Sequence, residues 1–306
     1  MHKSDVAITL GDPSGIGYEI VQKAVNSSVI TKICNPIVFG DVAFSKYFKN
    51  NEYISSSNNG KLKIGYPSAK SGIAAISAIH EAVKYCMNKK NVALINAPVS
   101  KKSLKMAGEK HEGHTELLAY ITKSENFAMM FSCNNIHSVI ITRHIPVKKI
   151  SSNIKTENII KTINLAINFL RKINKKNIRI GLCGLNPHAG DNSILGSEEK
   201  KIILPAYKIL KKSGINITKP LPADSIWLKA KSGYYDLVCS MYHDQAMIPL
   251  KCINNKKIVN ITIGLPFLRT SPGHGTAFDI AGKNIADATA MKEAIIYAVR
   301  NGQFIV

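Results

Sequence analysis

Short apolar runs rich in β-branched side chains alternate along the chain with longer stretches in which apolar residues recur every three or four positions. The run Val6-Ala-Ile-Thr-Leu10 reads as a first strand, followed by a Gly/Pro loop and a helix from about Gly17. Residues 36–40 and 92–95 read as further strands, and residues 72–87 between them carry helical spacing. The series continues with strands at 138–142, 178–183, 237–240 and 259–263, and with long helices at 157–172, 198–212 and 288–300. This alternation predicts an α/β fold. No repeat, low-complexity tract or linker interrupts it, so no lobe boundary is legible.

The polar residues are placed less evenly. Strand after strand ends in a loop of Asn, His, Asp, Gly and Pro: Asn96-Ala-Pro, Arg143-His144-Ile-Pro146, Asn186-Pro-His188-Ala-Gly190-Asp191 and Tyr242-His243-Asp244-Gln245. In open α/β sheets ligands bind outside the carboxyl ends of the strands, so these loops are expected to converge on one cleft. His144, His188 and His243 each follow an apolar run by a few residues. Three imidazoles so placed suit a divalent cation with positions left open for substrate. The alternative is that each caps its own loop by hydrogen bonding. Spacings of 44 and 55 residues make no local metal motif and leave both readings open.

A chain of 306 residues can build a large core, as one α/β unit or as two coupled lobes. The first residues show no apolar stretch behind a basic segment, and no uncharged run reaches the roughly 18 residues of a membrane span. A cytoplasmic protein without a membrane anchor is expected. The six cysteines form no Cys-x-x-Cys pair and read as buried free thiols. The net charge of +21 raises the question of nucleic acid. The lysines, however, fall in separate pairs such as Lys89-Lys90 and Lys175-Lys176, with no basic arm or aromatic-interleaved stripe. They read as a solvated surface whose positive field would favour encounter with a phosphorylated, carboxylated metabolite.

Seven strings carry more information than composition does: Leu10-Gly-Asp-Pro-Ser-Gly-Ile-Gly17, Asn96-Ala-Pro-Val-Ser100, Gly113-His-Thr-Glu116, Thr142-Arg-His-Ile-Pro146, Leu185-Asn-Pro-His-Ala-Gly190, Tyr242-His-Asp-Gln245 and Asn260-Ile-Thr-Ile-Gly-Leu-Pro-Phe-Leu-Arg-Thr-Ser271. In type and order they resemble the motif series of the 4-hydroxythreonine-4-phosphate dehydrogenase family, over roughly residues 7 to 287. The resemblance implies a single catalytic chain, 1–306, with two interleaved α/β lobes and a cleft between them. The three-layer sandwich would resemble the isocitrate/isopropylmalate dehydrogenase fold. It also implies a homodimer with the active site shared between subunits, and one divalent cation per site (zinc, magnesium or cobalt). His144, His188 and His243 match the cation's ligands, one of them contributed by the partner chain. His114, Thr115, Lys251, Asn260 and Arg269 match substrate-binding positions, and Asp224 and Asp244 match acidic residues lining the site. The implied reaction oxidises 4-phosphooxy-L-threonine at its 3-hydroxyl, and the keto acid then loses carbon dioxide on the way to pyridoxal phosphate. Lys251, Asp244, Asp224 and a cation-bound water are the candidates for taking the hydroxyl proton. A dehydrogenase of threonate or erythronate 4-phosphate is the alternative.

No Gly-x-Gly-x-x-Gly fingerprint is present, because Gly11, Gly15 and Gly17 are wrongly spaced for it. The segment from His274 to Asp287 resembles instead the adenosine-binding loop of isopropylmalate and isocitrate dehydrogenases. By that resemblance His274 and Ala277 approach the adenine, Asp279 accepts from the ribose hydroxyls, and Gly275, Thr276 and Asp287 are further cofactor-binding positions. A carboxylate at 279 disfavours the extra phosphate of NADP, so NAD is expected over NADP. Three positions depart from the family pattern: Tyr18 in place of proline, Ala246 in place of glycine and Gly273 in place of aspartate.

Overall fold

The computed structural model of the chain describes residues 3–111 and 113–302. The chain divides into two compact units, one running up to Glu125 and resuming at Val259, the other spanning Asn126–Ile258. The second is thus an insertion into the first.

In the first unit, six strands lie in the order β3 (Glu52–Ser57), β2 (Cys34–Asp41), β1 (Ser4–Thr9), β4 (Ala93–Asn96), β10 (Arg269–Pro272) and β9 (Val259–Ile263). All neighbours are parallel except β9 and β10. β1 has a parallel neighbour on each side, and its Val6, Ala7 and Ile8 are buried, as a central strand covered on both faces requires. The helix Ala69–Asn88 starts at a reciprocal cap, in which Ser68 accepts from the Ser71 backbone and Ser71 from that of Ser68. It buries Ala74, Ala75, Ala78, Ile79, Ala82 and Val83, a stripe at helical spacing whose small residues allow close approach.

In the second unit the order is β5 (Ala128–Cys133), β6 (Ile136–Ile140), β8 (Leu237–Ser240) and β7 (Ile180–Leu182). β5 and β6 form an antiparallel hairpin, whereas β6, β8 and β7 are mutually parallel. The helix Thr156–Lys172 buries Ile159, Ile163, Ala166 and Leu170, and β6 and β8 share a core with Phe131, Trp227, Met247 and Leu250. Each fully buried Ile or Leu contributes about 1.5–3 kcal/mol.

Most predicted elements are present. The strand expected at 138–142 is Ile136–Ile140. The helix expected at 198–212 is Leu204–Lys212, preceded by a wide π turn over Glu199–Ile203. Three strands escape the hydrophobic pattern: β3 is half exposed, β5 follows a polar loop, and β10 is the polar run Arg-Thr-Ser-Pro. The segment after Tyr242, read as a loop, is the helix His243–Asn254. All six cysteines are free, and Cys252 is exposed rather than buried. No helix among the described residues is long and apolar enough to cross a membrane.

Candidate active site

The first unit holds a buried polar cluster where apolar residues would be expected. Antiparallel pairing sets Arg269 of β10 opposite Thr262 of β9, and Ser271 opposite Asn260, so these four side chains share one face. Arg269 is 1% exposed. Its Nε donates to Asn96 Oδ1 at 2.8 Å and its Nη1 to Thr262 Oγ1 at 3.2 Å. Asn96 in turn donates from Nδ2 to Thr9 Oγ1 at 2.9 Å, and Thr262 Oγ1 lies 3.4 Å from Thr115 Oγ1 in the helix His114–Ile121. Burial pushes the Arg269 guanidinium down to about 9, against the pull of the Glu116 carboxylate, so it remains a cation at neutral pH. Burial, together with the Arg269 charge, holds the His114 imidazole well below its ordinary value and therefore neutral. Two buried atoms here, His114 Nε2 and Asn260 Oδ1, have no hydrogen-bond partner among the described residues. Native proteins rarely strand buried polar atoms, and a polar ligand would satisfy both.

In the second unit the loops after β6, β7 and β8 leave one edge, because those three strands are parallel. Polar bonds tie the loops to one another. Thr142 donates from both its backbone N and its Oγ1 to Met241 O, at 3.1 and 2.7 Å, which joins the His144 loop to the His243 segment. Gln245 accepts from Met241 N at 2.7 Å and donates to Gly184 O at 2.8 Å, which joins the His243 segment to the His188 loop. His144 and His243 come together, with ring centroids 5.4 Å apart and planes tilted by 49°. His243 is the first residue of its helix, with Nδ1 3.5 Å from Asp244 Oδ1. His188 is exposed and opens a run of left-handed backbone, with φ of 52° at His188, 53° at Ala189, 83° at Gly190, 39° at Asp191 and 56° at Asn192.

Two imidazoles bound to one tetrahedral cation have ring centres about 5 Å apart, so the separation of His144 and His243 is compatible with a shared cation. Within one chain the set does not close: among the described residues no group of three His, Cys, Asp or Glu stands ready to hold a metal. Of the remaining predicted residues, Asp224 and Asp244 line a common cavity of about 540 Å³ with Trp227 and Gln245. Lys251 is exposed on the helix that begins at His243 and does not line that cavity.

The segment 274–287 packs on the Gly-rich turn after β1. Ile16 N donates to Thr276 O at 3.0 Å, and a Cβ at Gly15 would stand 2.7 Å from that oxygen, which explains a glycine there. Glu19 accepts from Gly282 N at 2.6 Å, and Lys23 Nζ donates to Asn284 O and Ala286 O at 2.7 and 2.9 Å. His274, Gly275 and Asp279 are exposed, and Thr276 and Ala277 are half-buried. Asp287 Oδ1 accepts from Thr289 N and Oγ1 at 2.9 and 2.6 Å, at the start of the last helix. Tyr18 fills its non-proline position by packing on Phe44, ring centroids 5.0 Å apart.

Several residues of these clusters were not singled out as site residues from the sequence. Asn96 and Gln245 lie inside recognised strings, and Thr262 sits two residues beyond Asn260 on the same strand face. Glu198 and Glu199, whose carboxylates accept from Asn186 Nδ2 in the His188 loop at 2.9 Å each, lay outside every string. Their one signal was an acidic pair in a chain with 20 acidic and 41 basic residues.

A model of the family described as "Pyridoxal phosphate biosynthetic protein PdxA" matches residues 16–298. The chain belongs to that family. It is 40% identical over 315 residues to the 4-hydroxythreonine-4-phosphate dehydrogenase of Sulfurihydrogenibium sp., covering 96% of this chain and 97% of the relative. It is 36% identical over 315 residues to the D-threonate 4-phosphate dehydrogenase of Cupriavidus necator, covering 95% of each. Among solved structures, the 4-hydroxythreonine-4-phosphate dehydrogenase of Klebsiella pneumoniae superposes with a TM-score of 0.86 at 32% identity, covering 98% of both chains. The isocitrate dehydrogenase of Methylococcus capsulatus, at 15% identity and a TM-score of 0.54 over 97% of this chain and 85% of its own, shares the fold. The α/β fold expected of this PdxA-family chain is therefore the fold found.

Proposed function

We propose that this PdxA-family chain is a nicotinamide-linked, cation-dependent dehydrogenase that oxidises 4-phosphooxy-L-threonine at its 3-hydroxyl. The keto acid formed loses carbon dioxide to give 3-amino-2-oxopropyl phosphate, in the synthesis of pyridoxal 5'-phosphate. The observation that carries this reading is the buried Arg269 cluster, with its cation and the atoms of His114 and Asn260 that have no partner among the described residues. A phosphorylated acid supplies what that cluster lacks. Arg269 can grip a phosphate through two parallel hydrogen bonds, with Thr115 beside it. The neutral His114 can donate or accept at Nε2, and Asn260 Oδ1 can receive a substrate N–H or O–H.

The reaction moves a hydride from carbon 3 to the nicotinamide ring and requires the hydroxyl to lose its proton. A divalent cation (zinc, magnesium or cobalt) held by His144, His188 and His243 would act as a Lewis acid on that oxygen. Lys251, Asp244 and Asp224 are the candidates to take the proton, and two of them, Asp224 and Asp244, share one cavity. The segment from His274 through Gly275, Thr276 and Ala277 would hold the adenosine. Asp279, exposed on it, would receive the ribose hydroxyls and favour NAD over NADP. The chain would act as a homodimer, with the third imidazole supplied across the subunit interface.

A second reading, oxidation of D-threonate 4-phosphate, is supported by the Cupriavidus necator relative at 36% identity. The two substrates differ at carbon 2, amine against hydroxyl. Formation of reduced nicotinamide is to be followed spectrophotometrically with each substrate, with NAD and with NADP, before and after chelation. The first reading expects turnover of 4-phosphooxy-L-threonine with NAD, lost on chelation and restored by added cation. Turnover of D-threonate 4-phosphate alone would establish the second, and turnover of neither would sink both.

A further inference from the structure

The loop that carries His188 is shaped around a buried carboxylate. Six successive residues from His188 to Ser193 have positive φ, and five of them are not glycine. Such a run does not hold itself in place. Glu199, 7% exposed, sits against its inner side. Oε1 accepts from Leu185 N at 2.8 Å and from Asn186 N at 2.7 Å, while Oε2 accepts from Asn186 Nδ2 at 2.9 Å. Gly190 closes over the same oxygen: a Cβ there would stand 2.6 Å from Oε2. Asn186 Nδ2 also donates to Glu198 Oε2 at 2.9 Å, and Glu198 Oε1 accepts from Ser151 Oγ at 2.6 Å. Glu199 opens a π turn that Glu198 immediately precedes, an irregularity that often marks a functional position.

We propose that Glu199 is the positioning residue that sets His188 for cation binding, with Asn186 as its link to the loop. The proposal rests on the cation reading of the three histidines. Each hydrogen bond to Glu199 is donated by the loop, so only an acceptor serves at both oxygens. A glutamine would aim its amide at Asn186 Nδ2. Turning Asn186 over to accept that amide would point Asn186 Oδ1 at the Glu198 carboxylate. An isosteric E199Q therefore leaves the loop mismatched whichever way the amides lie, and His188 is displaced without being altered.

The test is a cobalt(II) titration of the purified protein, read by the absorption of imidazole-coordinated cobalt, with thermal unfolding alongside. Wild type, H188A, E199Q, N186A and D41N are compared. Asp41 is a buried carboxylate holding a loop of the other unit through Ala43, Ser57 and Asn59, and its change reports stability alone. H188A should lose binding, E199Q should bind roughly tenfold or more weakly, N186A should fall between E199Q and wild type, and D41N should bind as wild type does. Wild-type affinity in E199Q beside loss in H188A overturns the role of Glu199 and leaves the histidine reading standing. Equal weakening in E199Q and D41N also overturns it. Cobalt binding in H188A equal to wild type, or none in wild type, removes the histidine reading and this proposal together. If E199Q does not fold, N186A decides: weakened binding supports the link, and unchanged binding overturns it.

Discussion

A histidine kept neutral by burial makes a protein sensitive to acid. His137, 3% exposed on β6, is pushed down to about 4 by burial and by the positive charge of Lys175, against the opposing pull of Asp236. His114 is held low by burial and Arg269. In the unfolded chain both return to about 6.5. Between those values the unfolded state binds more protons than the folded one, so stability is full above about pH 6.5 and falls as pH drops toward 4. His137 alone would remove stability on the order of 3 kcal/mol across that window. Urea unfolding measured from pH 7 to pH 4.5 should show the decline, and H137N should make it shallower. An unchanged slope in H137N would show that this ring is not what acid attacks.

Elements set the residues that chemistry uses, and the left-handed turn at 188–193 shows how. Each non-glycine residue in that conformation costs about 1–2 kcal/mol, so the turn persists only because Glu199 and its neighbours over-determine it. Gly190 and Gly214 both have positive φ, at 83° and 79°, but only Gly190 faces a crowded carboxylate, whereas nothing lies within 4 Å of a Cβ at Gly214. Both glycine-to-alanine variants carry the conformational penalty, and G190A alone adds the clash with Glu199. G190A should therefore unfold at a clearly lower temperature than G214A in calorimetry. Equal midpoints would mean that the loop adapts and that Glu199 does not shape it.

For the whole molecule, the decisive question is how the histidine set closes, since one chain brings His144 and His243 together without a third ligand among the described residues. A cation site completed by the partner chain predicts complementation between inactive variants. When two variants lesioned on opposite sides of the interface are mixed and reassembled, half the dimers are mixed, and each of these has one intact site. Activity should then recover to about a quarter of wild type. Of the three pairings among H144A, H188A and H243A, two should recover and one should not, because only one ligand comes from the partner. Recovery in no pairing would place all three ligands on one chain.

Much of this was legible in the chain itself. Central strands such as Val6-Ala-Ile and amphipathic helices such as 156–172 declare themselves because burial imposes a period on apolar residues, and the ordered strings place His144, His188 and His243 after strands whatever the details of packing. What lay outside the pattern was decided by contacts between distant residues. β10 is polar because it delivers Arg269 to Asn96, 173 positions away, and no local period marks a strand whose value is one buried cation. Asp287 reads in the sequence as the end of a cofactor segment, and only the fold shows that its Oδ1 also caps the backbone at the start of the last helix. Glu199 carries no motif, and only the folding of the His188 loop around it turns an unremarked acid into a support. Periodicity records which faces are covered; which polar groups meet inside is settled only when the chain closes upon itself.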